Sequence, residues 1–132
     1  MKDAKVSTVM VQPVVSAKTK TPAENIASVL LYSHYTGMPV VDDAGRVVGI
    51  VTELDLLDAL MEGKNLSKVS AEQIMTKEPV TADVDTPVSE VIATMKKKNI
   101  IRLPITREGK LAGIVARCDI LKSQMDPTTV FV

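Results

Sequence analysis

The chain of 132 residues has no tryptophan, and its aromatics are two tyrosines and one phenylalanine, 2% of the whole. A core must therefore be assembled from Val, Ile, Leu, Met and Ala. Tyr32, Tyr35 and Phe131 can hardly form the row of aromatic platforms on which single-stranded nucleic acids stack. Cysteine is almost missing. Cys118 has no partner for an internal disulfide. One cysteine and one histidine fall short of the roughly four ligands of a structural zinc site. Neither sign of charge is in excess: 16 Lys+Arg balance 16 Asp+Glu. A general nucleic-acid binder would carry a basic surplus, so that partner is not expected, although a local basic pocket is compatible with neutrality. No apolar run approaches the roughly 18 residues of a membrane span. Met1-Lys2-Asp3-Ala4-Lys5 leads into no long apolar stretch, so a signal peptide is not expected either. Together these absences predict a soluble, cytoplasmic protein.

What is present is an ordinary globular composition, 45% hydrophobic and 24% charged, arranged as an internal duplication. Pro13-Val14 recurs as Pro79-Val80, Thr21-Pro22 as Thr86-Pro87, and Met38-Pro39-Val40 as Leu103-Pro104-Ile105. Gly49-Ile50-Val51 recurs as Gly113-Ile114-Val115, and Asp55-Leu56-Leu57 as Asp119-Ile120-Leu121. The offset drifts from 66 (79 minus 13) through 65 (87 minus 22) to 64 (113 minus 49), as expected when loops change length by one residue.

Each copy reads as β-α-β-β-α, an α+β plan. A short strand at Val14-Val15 or Val80-Thr81 precedes a helix with Thr21 or Thr86 as N-cap and proline at its first position. Two strands follow, Met38–Val41 with Val47–Val51 and Leu103–Thr106 with Leu111–Val115, each pair joined by turn residues. The closing helices are expected over Glu53–Met61 and Arg117–Gln124. Ser70-Ala71-Glu72-Gln73 is a capping-box pattern for one extra turn. The expected organisation is repeat one at 6–62, a linker at 63–72, repeat two at 73–124 and a tail at 125–132, with Asp126-Pro127 breaking the last helix. One copy alone would bury too little surface, so the two are expected to pack around a pseudo-two-fold axis as one inseparable domain. The apolar end of the tail, Val130-Phe131-Val132, is expected to dock on its own protein or on a second copy.

Pro39, Gly45 and Gly49-Ile50-Val51-Thr52-Glu53-Leu54-Asp55, echoed by Pro104, Gly109 and Gly113-Ile114-Val115-Ala116-Arg117-Cys118-Asp119, resemble a tandem pair of cystathionine-β-synthase (CBS) domains, a Bateman module. The resemblance covers about residues 6–124 and rests on the order and duplication of motifs that are weak singly. It implies a regulatory module, not an enzyme, that needs no cofactor. The implied ligands contain adenosine: AMP, ADP, ATP or S-adenosylmethionine, held in the cleft between the repeats. It also implies pairing of two modules into a homodimer beside an effector protein. A ligand-free interaction or dimerisation module is the rival reading.

The residues themselves suggest where a ligand would sit. Thr52 begins a helix, whose free N–H groups and dipole attract anions, and Asp55 one turn on can accept ribose hydroxyls. Thr52-x-x-Asp55 is equally readable as a plain capping box. Repeat two keeps Asp119 but has Ala116, which cannot cap, and the resemblance assigns the ribose contact to the aspartate of both copies. Arg117 and Arg102 are expected near that second helix start, where two guanidinium groups would hold a phosphate; the plain alternative is two surface arginines. A phosphate-bearing ligand is thus expected to prefer the Asp119 site. By resemblance, adenine slots are walled by Met10, Val15, Thr36 and Gly37 in repeat one and by Met75, Val80, Ile101 and Arg102 in repeat two, beside Pro104. The methionines serve equally as core fillers. Lys96-Lys97-Lys98 reads as a solvated helix end, and His34 as a surface or interface residue.

Overall fold

The computed structural model describes residues 3–33, 35–125 and 128. His34, the helix break at Asp126-Pro127 and the tail segment Val130–Val132 lie outside the described residues.

Repeat one contributes β1 (Ala17–Lys18), α1 (Ala23–Ser33), β2 (Gly37–Val41), β3 (Val47–Thr52) and α2 (Glu53–Met61). A short helix α3 (Ala71–Ile74) and β4 (Thr76–Lys77) follow. Repeat two contributes β5 (Ala82–Asp83), α4 (Val88–Lys98), β6 (Arg102–Arg107), β7 (Lys110–Ala116) and α5 (Arg117–Ser123). One mixed sheet runs β1-β2-β3-β4 and the other β5-β6-β7. In both, the short first strand lies parallel to the second and the second antiparallel to the third. Both hairpins shift register at the same place, between Val40 and Val41 and between Ile105 and Thr106. Glu108 and Gly109 both take positive φ, 53° and 80°, the geometry of a two-residue hairpin turn whose twist matches its strands. The sheets meet at these turns: Arg46 bridges to Lys110, and the Leu111 N–H donates to the Gly45 carbonyl at 3.0 Å.

Two local expectations are corrected. The short strands form at Ala17–Lys18 and Ala82–Asp83, not at Val14-Val15 and Val80-Thr81. Ladder register overrides β-propensity here, because small, buried Ala17 is what fits beside fully buried Val40. Thr21 and Thr86 do not cap their helices. Pro87 is itself the N-cap residue of α4, and the Thr21 hydroxyl accepts from the Lys18 N–H at 2.9 Å.

The helix starts are instead capped by the segments that precede the other repeat. The N–H groups of Ala23 and Glu24 donate to the carbonyls of Val69 and Leu66. Those of Val88 and Ser89 donate to the Ala4 carbonyl and the Asp3 carboxylate. The exchange extends into the cores. Val6 is buried among Val84, Val88, Leu103 and Val115 of repeat two. Ala71 is buried among Ile26, Met38 and Val51 of repeat one, with Leu66 and Val69 against it. Each repeat's core is therefore completed by the segment that precedes the other repeat.

Candidate functional site

A cavity of about 510 Å³ opens between the repeats. Its apolar wall comes from repeat two: Pro79 and Val80 ahead of β5, Ile100 and Ile101 ahead of β6, and Pro104 within it. The facing wall comes from repeat one: Thr36, Ile50, and Thr52, Glu53 and Leu54 at the start of α2. Thr76, Glu78, Asn99 and Arg102 complete the lining. An apolar slot with a few convergent polar groups is the usual form of a small-molecule site, and the volume lies within the roughly 300–1,000 Å³ of such sites. A second opening of about 600 Å³ is lined by Gln12, Pro13, Val14, Ser16, Val41, Gly45, Leu111 and Ala112. That lining has no ionisable side chain, so it has less with which to orient a polar ligand.

Thr52 and Asp55 do form a capping box. The Thr52 N–H donates to Asp55 Oδ2 at 2.8 Å, and Thr52 Oγ1 accepts from the Asp55 N–H at 3.3 Å. The Asp55 carboxylate also reaches the cavity wall, because Oδ1 accepts from the Thr76 hydroxyl at 3.0 Å. In repeat two, Asp119 Oδ2 accepts from the Ala116 N–H at 2.8 Å. Alanine offers no acceptor, so only that half of the box exists.

Arg102 is half-buried, and Gly37 makes room for it. A side chain at position 37 would begin 3.1 Å from Arg102 Nη1 and 3.3 Å from its Cδ. Burial pushes the guanidinium pKa down, while Glu53 and then Cys118 favour the charged form; it remains a cation at neutral pH. Glu78 holds a left-handed backbone, φ 50°, and Asn99 takes φ 52° as the C-cap of α4. Non-glycine residues held in that region gather at functional sites.

Of the residues expected from the sequence, the cavity gathers Thr36, Thr52, Val80, Ile101, Arg102 and Pro104, with Asp55 immediately behind and Gly37 against Arg102. The expected grouping by repeat is corrected, because one cavity joins the wall of one repeat to the helix start of the other. Met10 and Met75 are not in its lining. A Cβ on Gly49 of repeat one would run into the Met75 sulfur, and one on Gly113 of repeat two into the Met10 sulfur. Each methionine thus packs on the other repeat's sheet. Val15 is 45% exposed and lines neither opening. Arg117 and Asp119 are not among the residues lining this cavity, whereas Arg102 is. Arg117 Nε donates to the Ile100 carbonyl at 3.1 Å, while Arg102 turns toward repeat one. Glu53, Glu78 and Asn99 were not among the expected site residues. Only Glu53, directly after Thr52, had a signal in the sequence.

The kinship implied by this architecture is settled by comparison. Residues 6–62 and 71–126 each match the CBS domain family. The chain belongs to that family, as a tandem pair. It is 33% identical over 132 residues to the Methanopyrus kandleri protein MK0525, covering 98% of this chain. Curated relatives are longer than the chain, which spans 66% of that protein and 22% of another relative. Among solved structures, the CBS domain pair of protein MJ0100 in complex with 5′-methylthioadenosine and S-adenosyl-L-methionine superposes with a TM-score of 0.82 at 30% identity, covering 92% of this chain and 96% of that one. CBSX2 in complex with AMP does so with a TM-score of 0.79 at 25% identity, covering 91% and 95%.

Proposed function

We propose that this CBS pair is a cytoplasmic regulatory module that senses an adenosine-containing ligand bound in the cavity between its repeats. One observation carries the reading: an open apolar slot and a polar helix start, contributed by different repeats, face each other across about 510 Å³. Val80, Ile101 and Pro104 offer flat apolar surface for the base. Asp55 accepts a ribose hydroxyl by exchanging it for that of Thr76, hydroxyl for hydroxyl. The ligands held by the CBS pairs of MJ0100 and CBSX2 support the class. A ligand spanning both walls favours one spacing of the repeats over others, and that differential affinity is what makes binding regulatory. Ile101 stands at the slot without filling it, which weighs against a plugged, ligand-free module.

Calorimetry of the folded protein with AMP, ADP, ATP and S-adenosylmethionine tests the proposal. Heat from at least one ligand is expected, and silence from all four overturns it. Ile101→Lys changes an exposed position, so folding is kept, and should weaken binding at least tenfold. Asp119→Ala should leave affinity unchanged. A loss there moves the ligand to the start of α5, the place expected from the sequence.

A second copy of the chain is the partner we propose. Leu54, Leu57, Leu60 and Met61 on α2 and Leu31 and Tyr32 on the adjoining α1 are large apolar side chains left exposed. Contiguous patches of that kind mark association surfaces.

A further inference from the structure

The ionisable side chains lining the cavity are Glu53, Glu78 and Arg102, two carboxylates and one guanidinium, a formal charge of −1. Asp55 stands directly behind Thr52 and Thr76 and adds a negative charge there, while Arg117 adds a positive one on the opposite wall, behind Ile100. The features by which a helix start receives phosphate are already used within the protein. The Thr52 hydroxyl donates to Asp55 Oδ2 at 3.0 Å, and the Thr52 N–H donates to the same oxygen. The Glu53 N–H points at the Thr36 carbonyl, 3.4 Å away, and the Asp55 N–H at Thr52 Oγ1. Glu53 and Asp55 place their own carboxylates on the positive end of the α2 dipole. The one lining guanidinium, Arg102, is half-buried, and the negative charge of Glu53 favours its cationic form.

We infer that the cavity selects adenosine ligands without phosphate, whose 5′ substituent is a thioether or a sulfonium-bearing amino acid, over adenine nucleotides. The inference rests on the ligand reading above and names the ligand class for that same cavity. A phosphate monoester brings a charge of about −1.5 to −2. Here it would meet two carboxylates with every donor of the helix start except the Leu54 N–H engaged. A sulfonium amino acid carries two cationic centres and one carboxylate, the inverse of two glutamates and one arginine. An uncharged thioether meets no repulsion at all.

The test is calorimetry of the full chain with S-adenosylmethionine, 5′-methylthioadenosine and AMP, repeated with Glu53→Gln. S-adenosylmethionine and 5′-methylthioadenosine should bind at least tenfold more tightly than AMP. Glu53→Gln should raise AMP affinity several-fold and lower that for S-adenosylmethionine. Raising the salt from 0.05 to about 0.5 M should narrow the gap in the unaltered protein, because it screens the repulsion at an exposed carboxylate. AMP binding as tightly as S-adenosylmethionine, or a ratio that neither Glu53→Gln nor salt moves, overturns the inference and leaves the ligand-sensing role standing. No binding by any of the three overturns the selectivity and goes against that role as well.

Discussion

Asp55 and Asp119 hold the same place in the two repeats, and each accepts the N–H of the residue that starts its helix at 2.8 Å. They differ in what else they hold. Asp55 also engages the hydroxyls of Thr52 and Thr76, whereas Asp119 faces an alanine. Thr52→Ala gives repeat one the pattern of repeat two and removes one cap limb. It should cost about 1 kcal/mol, read as a shift of the urea midpoint. Asp3 makes a comparable contact at α4, where both the N–H and the hydroxyl of Ser89 donate to its carboxylate. The Ser89 hydroxyl, then its N–H, hold the Asp3 pKa below the usual carboxylate value. The folded form thus binds its proton less readily than the unfolded one. The anchor is therefore fully present above the unfolded value, about pH 4, and is lost as pH falls through the lower folded value. The protection of the Ser89 amide, relative to its intrinsic exchange rate at each pH, should fall over that acid range, and Asp3→Asn should abolish that pH dependence.

At the scale of elements, the exchange of segments controls stability. Val6 belongs by sequence to repeat one but is fully buried in the core of repeat two. Val6→Ala should cost about 2 kcal/mol, with faster exchange of the buried amides in α4 and β6 and not those of α1 and β2. Gly49 is flat against the incoming strand. A methyl group there would sit 2.7 Å from Met75 Cγ and 3.0 Å from the Thr76 carbonyl oxygen. Gly49→Ala should destabilise by about 1–3 kcal/mol, because the carbonyl is backbone and cannot turn aside as a side chain can. Both α2 and the β6-β7 hairpin were legible beforehand, since periodicity, a cap and a glycine turn act within a few residues. The places of β1 and β5, and the capping of α1 and α4, were not. Their partners lie some 23 to 86 residues away along the chain, at Val40 for Ala17 and at Asp3 for Ser89.

Over the whole molecule, the apolar strip of α1 and α2 makes a dimer the expected assembly. Sedimentation should find twice the chain mass, and Leu57→Asp with Met61→Asp should give folded monomers. Both positions are exposed, 54% and 88%, so loss of the dimer would report an interface and not a damaged core. Leu54 lies on this strip and also in the cavity lining, so the proposed association surface and the proposed ligand cavity share a wall. By itself the sequence determined that there are two repeats, their element order, the glycine turns, and a candidate set containing Thr52, Val80, Ile101, Arg102 and Pro104. These follow from local periodicity and from comparing the chain with itself. Which of those residues share one space was decided only by the tertiary structure. Each repeat lends a segment to the other, so Met10 and Met75 trade places. The wall of repeat two meets the helix start of repeat one, and Arg102 lies against Gly37 while Arg117 holds the Ile100 carbonyl. A duplicated sequence carries no mark of which copy completes which. That choice comes from the packing of the two halves against each other.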